Sequence, residues 1–199
     1  LWARACRQFD HLTEAIDRAD SWAADAHKWL NVPYDSGLVL CRDREAIHAA
    51  MGIKAAYLDD RLVSEPCWMT PELSRRARGI EIYAALRSLG RSGVSDMISR
   101  CCRHAQRFAQ GLTDAGYEIL NDVVLNQVLV LFGDDDVTRK AIKLIQDEGT
   151  CWAGGTTWQG RHAMRISISN WATTDEDVTL SLEAMIRCAH QAKQANPRG

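Results

Sequence analysis

The clearest chemical potential in this chain lies in the stretch ADSWAADAHKWLNVPYDSG, residues 19–37. Lys28 stands there between His27 and Trp29, at the end of a short apolar run and ahead of a proline-bearing turn. Burial beside aromatic rings disfavours an ammonium, and the neutral amine that results is a nucleophile for Schiff-base formation. The residue types thus predict a dry pocket around Lys28, at the end of a strand. A bare His-Lys pair carries little weight, because most lysines are solvated surface charges. The weight comes from the whole string.

The elements that must hold this lysine are read from pattern. Residues 19–41 are small and apolar, broken by Asn31, Pro33, Tyr34, Asp35, Ser36 and Gly37, which reads as strand, turn, strand. The second strand, GLVLC, is a continuous apolar run and predicts cover on both faces. A short helix over 44–51 follows. Residues 52–69 show no sustained period, and so long a connection within a domain is a lid candidate. Thr70 and Pro71, a capping hydroxyl and a proline at the first helical position, predict a helix over 71–89 with Leu73, Ala77, Ile80, Ala84 and Leu86 as its apolar stripe.

Gly90 and Gly93 punctuate the chain, and Val94, Ile98, Cys101, Cys102, Ala105, Phe108, Ala109 and Leu112 then mark a second amphipathic helix. Beyond Gly116 the pattern shortens into strands at 117–120, 126–132, 152–157 and 164–169, with a helix over 137–148. Thr174 with Asp177 forms a capping box for a final helix reaching about residue 194. This last region reads as a small α+β domain.

The string around Lys28 closely resembles the cofactor-lysine segment of the group II decarboxylases, the family of aromatic-amino-acid, histidine and glutamate decarboxylases that use pyridoxal 5'-phosphate (PLP). The shared pattern is ADS, a few residues, HKW and a short turn. The stretches PELSRRARG (71–79), ALRSLGRSG (85–93) and RISISNWATTDEDV (165–178) resemble the segments that follow in bacterial members. Members are much longer, so the chain resembles roughly their last two fifths.

The resemblance implies an α/β fold of the aspartate aminotransferase type (fold type I). Residues 1–69 would end the PLP-binding large domain, 70–115 would be connecting helices, and 116–199 would form the small α+β domain. Lys28 would be the catalytic residue that bonds the cofactor, His27 would sit beside its phosphate, and Ser74, near the start of the helix at Pro71, would approach the partner subunit's phosphate. Asp25 falls where several relatives have asparagine, and a carboxylate there repels a dianion. The implied activity is decarboxylation of an amino acid by a homodimer. In relatives a loop tyrosine returns a proton to the substrate carbon; Tyr57 falls too early for that role, and Cys67 or Trp68 stands nearer the place. Aldehyde synthesis or transamination on the same fold therefore stays open, as does an inactive remnant or dimerisation module. An aspartate that pairs with the cofactor's ring lies upstream of Leu1 in relatives, so the 199-residue chain alone is expected to bind PLP poorly and turn over little.

Bulk properties agree with a small-molecule partner. The chain is 46% hydrophobic and 25% charged with a net charge of -2, which gives it a core and no broad basic field for nucleic acid or anionic lipid. No apolar run is long enough to cross a bilayer and the opening residues lack a signal-like apolar centre, so a cytoplasmic protein without membrane contact is expected. The chain opens on Leu1 without a methionine, and a preceding segment is expected. Its seven cysteines are scattered, without a CxxC pair, and read as reduced, mostly buried thiols. Cys101, Cys102 and His104 lack a second ligand pair at zinc spacing and read as core, with no metal expected. The seven tryptophans read as core or interface anchors, and Arg75, Arg76 and Arg78 as a solvated helix face or a dimer contact.

Overall fold

Short apolar runs separated by turn residues give six strands among the described residues, paired into two separate antiparallel sheets. The structure is a computed structural model and describes residues 1–52 and 66–195. It divides into two compact units, Leu1–Val94 and Ser95–Gly199.

In the first unit, three short 3-10 turns over Trp2–Ala5, Arg7–Thr13 and Ile16–Arg18 lead into strand β1, Ser21–Asp25. A single helical turn, α1 (Ala26–Trp29), and a loop return the chain to β2, Gly37–Cys41, which pairs with β1 from Ser21 opposite Cys41 to Asp25 opposite Gly37. Helix α2, Arg44–Met51, starts where Asp43 accepts hydrogen bonds from the Glu45 and Ala46 amides, an N-cap that satisfies two orphan donors. Trp68, in the 3-10 turn Pro66–Trp68, is buried and stacks on His48 of α2 at 4.6 Å between ring centroids.

The expected strand, turn, strand and the helix over 44–51 are present. Two expectations fail. β2 is not covered on both faces: Val39 is 67% exposed and Leu40 50%, and among the described residues the sheet it joins has just two strands, β1 and β2. Nor does a helix begin at Pro71. Residues 71–78 are irregular and α3 runs Gly79–Asp114, with Ile80 and Leu86 of the expected stripe exposed and Ile82 buried. The reason lies in side chains competing with the helical ladder: Arg75 donates to the Thr70 hydroxyl (2.5 Å) and the Glu72 carbonyl (3.1 Å), and Thr70 Oγ1 itself donates to Glu72 O (3.2 Å). The lid candidate falls mostly on residues 53–65, outside the described residues, and Tyr57 with it.

Helix α3 breaks at Gly90, whose φ of 62° and ψ of -175° only glycine adopts readily. The second unit holds strands β3 (Glu118–Ile119), β4 (Gln127–Leu131), β5 (Gly154–Trp158) and β6 (Arg161–Ser167) in the order β3-β4-β6-β5. Helix α4, Asp135–Glu148, packs on β5, β6 and helix α5, Asp175–Gln194. The core is made by Val128 and Val130 of β4, Ile145 of α4, Met164 of β6, Met185 of α5 and Phe132, each essentially without solvent exposure. The capping box is present as expected, Thr174 Oγ1 accepting from the Asp177 amide (3.2 Å) and Asp177 Oδ2 accepting from the Thr174 amide (2.8 Å). β6 starts earlier than expected because Gln159 and Gly160, at φ 49° and 79°, make a two-residue hairpin turn that places Trp158 opposite Arg161.

Cys6, Cys101, Cys102 and Cys188 are buried, as is His104. Of the seven tryptophans Trp68 is buried, Trp2, Trp22 and Trp29 are half-buried, and Trp152, Trp158 and Trp171 are exposed. Among the described residues no helix is long and apolar enough to cross a membrane.

Candidate cofactor site

Strand β1 ends at Asp25, and α1 presents His27 and Lys28 in a single turn. The loop back to β2 is closed at Ser36, whose carbonyl accepts from the amides of Ala26 (3.0 Å) and His27 (3.3 Å). The same carbonyl lies 2.7 Å from His27 Nδ1. A carbonyl can only accept, so Nδ1 carries the proton in this contact, and the longer approach of the Ser36 amide to Nδ1 (3.2 Å) is the alternative with the proton elsewhere. We assign the shorter one. Nε2 is then the ring nitrogen left to meet a ligand. The ring leans on Tyr34, 4.3 Å between centroids at 50°.

Lys28 Nζ donates to Asp25 Oδ2, three residues back. Asp25 occupies the N-cap position of α1, yet its side chain makes no capping hydrogen bond, which leaves the carboxylate to the lysine. That hydrogen bond holds the Asp25 carboxyl below the ordinary aspartate range, with the charges of Lys28 and His27 adding to it. Among the described residues no dry pocket surrounds Lys28: its side chain is 63% exposed, it sits on a helical turn just past the strand end, and Asp25 supplies its counter-charge.

Sequence reading missed the groups that fix the turn behind His27. Arg76 donates through Nη1 to Tyr34 O (3.1 Å) and through Nη2 to Pro33 O (3.3 Å) and Asp35 O (3.2 Å). Arg78 Nε donates to Asp35 O (3.0 Å) and Oδ1 (3.1 Å), while its Nη1 reaches Glu72 Oε2 (3.1 Å). The Arg78 guanidinium holds the Asp35 carboxyl below its usual range and is itself pushed up. The basic run is thus not a solvated helix face. The one signal for it was three arginines within four residues, Arg75, Arg76 and Arg78. Ser74 lies exposed in the irregular stretch 71–78, so the helix start expected beside it is not there, and no hydrogen bond joins it to His27 or Lys28.

An aldehyde cofactor with a phosphate needs a reachable primary amine and polar groups with spare hydrogen-bonding capacity. Lys28 supplies the first. His27 Nε2 supplies part of the second, and so does Ser36, which is buried with an Oγ that has no partner among the described residues. A buried hydroxyl left unpaired costs about 1–3 kcal/mol, which a bound polar group would recover. The residues fit such a group.

Comparison with known proteins points the same way. The model of the "Pyridoxal-dependent decarboxylase conserved domain" matches residues 3–132. A histidine decarboxylase of Drosophila melanogaster is 31% identical over 179 residues, covering 87% of this chain and 21% of that protein. An aromatic-L-amino-acid decarboxylase of Drosophila lebanonensis is 26% identical over 197 residues, covering 95% of this chain and 48% of its own length. The crystal structure of Oryza sativa TDC with PLP and tryptamine superimposes with a TM-score of 0.87 at 18% identity, over 96% of this chain and 42% of that one. The chain thus spans less than half the length of these proteins, and its mixed helix and sheet architecture is the corresponding part of the fold type I decarboxylases. With the family model covering well over half its residues, this chain belongs to the pyridoxal-dependent decarboxylases, and pyridoxal 5'-phosphate is the cofactor that goes with it.

Proposed function

We propose that this chain carries the cofactor lysine of an amino-acid decarboxylase, with Lys28 as the covalent anchor, His27 beside the phosphate and Ser74 as a further phosphate contact. The observation that carries this reading is the reachable Lys28 amine on the turn where His27 is held through Nδ1, in a chain of this family. When bound, PLP withdraws the electrons of the bond broken at the carbon next to the substrate nitrogen. The chain's own part is to hold the reactants. Lys28 Nζ must leave its hydrogen bond to Asp25 and give up a proton before its nitrogen can form a bond. His27, with Nδ1 committed to Ser36, has Nε2 to donate to an anion when protonated.

The same reading assigns residues 1–69 to the end of a PLP-binding domain, 70–115 to connecting helices and 116–199 to a small domain. It makes the whole protein a cytoplasmic homodimer. The exposed apolar side chains of Tyr34, Ile80 and Tyr83 support a partner surface, and the small-molecule substrate would be an amino acid.

Borohydride reduction in the presence of PLP, followed by peptide mapping, tests it. The label is expected on Lys28 and lost in Lys28→Ala; a label on another lysine overturns the reading, and no label favours an inert module. Amine plus carbon dioxide as products, against aldehyde plus ammonia, separates decarboxylation from aldehyde synthesis.

A further inference from the structure

Three successive backbone carbonyls, of Pro33, Tyr34 and Asp35, converge on one guanidinium. Carbonyls crowded together concentrate negative partial charge, and left alone they would turn apart toward water. A guanidinium answers them with several N–H donors in one rigid plane, which a lysine ammonium cannot do. Arg78 adds the Asp35 carboxylate and carbonyl, while Glu81 (3.7 Å from Arg76 Nε) and Glu72 back the two arginines.

The residue following this gripped turn is Ser36, whose carbonyl receives His27 Nδ1 and the amides of Ala26 and His27. The position of that carbonyl sets which ring nitrogen carries the proton and where the other points. A turn free to rotate by one peptide would withdraw it and release the imidazole.

We propose that Arg76, assisted by Arg78, is a positioning residue for His27: by gripping the carbonyls of residues 33–35 it fixes Ser36 and so presents His27 Nε2 in one orientation to the cofactor. The link to the cofactor rests on the function proposed above; the link from Arg76 to His27 does not.

The test uses the 199-residue chain. Long-range proton–nitrogen NMR of the neutral histidine is expected to show His27 as a single form with the proton on Nδ1. In Arg76→Ala the signals move to the averaged values of a free imidazole. Trapping of PLP on Lys28 by borohydride at subsaturating cofactor falls roughly tenfold, the lower end of what removing an orienting partner of a functional histidine costs. Amide exchange across β1 and β2 reports whether the hairpin survives, and if it does not, Arg76→Lys decides. Lysine keeps the charge and loses the fork, so a partial shift of the His27 signals is expected. Unchanged His27 signals in Arg76→Ala with an intact hairpin, or in Arg76→Lys, overturn the proposal. Altered signals with undiminished trapping overturn its link to the cofactor. Absence of trapping on Lys28 in the unsubstituted chain instead sinks the functional reading and leaves the NMR result to decide the grip on His27.

Discussion

The β1–β2 hairpin and the four-stranded sheet of the second unit are both antiparallel, yet they are held by different forces. In β4, Val128 and Val130 have no solvent exposure and face a core shared with α4, α5 and β6; in β2, Val39 and Leu40 stand largely in water. The larger sheet is specified by apolar burial, at about 25 cal/mol for each Å² removed from water. The hairpin region is specified by charged side chains that grip backbone, Arg76 and Arg78 on residues 33–35 and Arg42 on Ala19 O (3.2 Å) and Asp17 O. A turn built this way leaves the Lys28 amine reachable.

The comparison breaks first where burial is removed. Phe132 is fully buried and meets Tyr117 edge-on at 5.0 Å. Phe132→Ala is expected to cost about 3–5 kcal/mol, read from denaturant unfolding, whereas Val39→Thr in the hairpin should stay within about 0.5 kcal/mol. Equal costs would mean that the two sheets are not held differently.

A smaller effect comes from the one histidine in the second core. His104 is buried, Nε2 lies 3.4 Å from Asp175 Oδ1, and Nδ1 has no partner among the described residues. Burial pushes its imidazole below the ordinary histidine value, Asp175 opposes this, and Arg100, Arg107 and Arg103 add to it. Unfolding restores a value of about 6.5. Between the folded and unfolded values the unfolded chain binds a proton that the fold refuses, so stability falls as pH drops below about 6.5 and levels off under the folded value. His104→Gln should remove that slope, measured as denaturation midpoint against pH; a midpoint that rises as pH falls would reverse the assignment.

The same contrast explains what was legible beforehand. The second unit was readable because its signals are local: the Thr174–Asp177 box opens α5, and the continuous apolar run around Val128 and Val130 is β4. The hairpin's strands and the HKW string at Lys28 were also local and readable. What escaped were interactions whose partners lie far apart in sequence, above all Arg76 on Tyr34 O at a separation of 42 residues. The failed helix at Pro71 is the other side of this, since Thr70 and Arg75 serve their own loop instead of a helix start. The dry pocket failed because desolvation depends on what covers Lys28, which neighbours in sequence cannot tell.

The smallest expected effect concerns that exposed lysine. Asp25 and Lys28 form an ion pair between half-solvated side chains, a setting in which water screens most of the attraction. Lys28→Ala removes the donor that holds the Asp25 carboxyl down. The Asp25 titration, followed by carbon-13 NMR of its carboxyl against pH, is therefore expected to move up toward the ordinary aspartate range. In the unsubstituted chain the pair should persist down to the depressed Asp25 titration and weaken as pH falls through it, when the carboxylate takes up a proton. An Asp25 profile unmoved by the substitution would mean that Lys28 merely neighbours the carboxylate, leaving His27 and the arginine grip as the groups that distinguish this turn from an ordinary exposed hairpin.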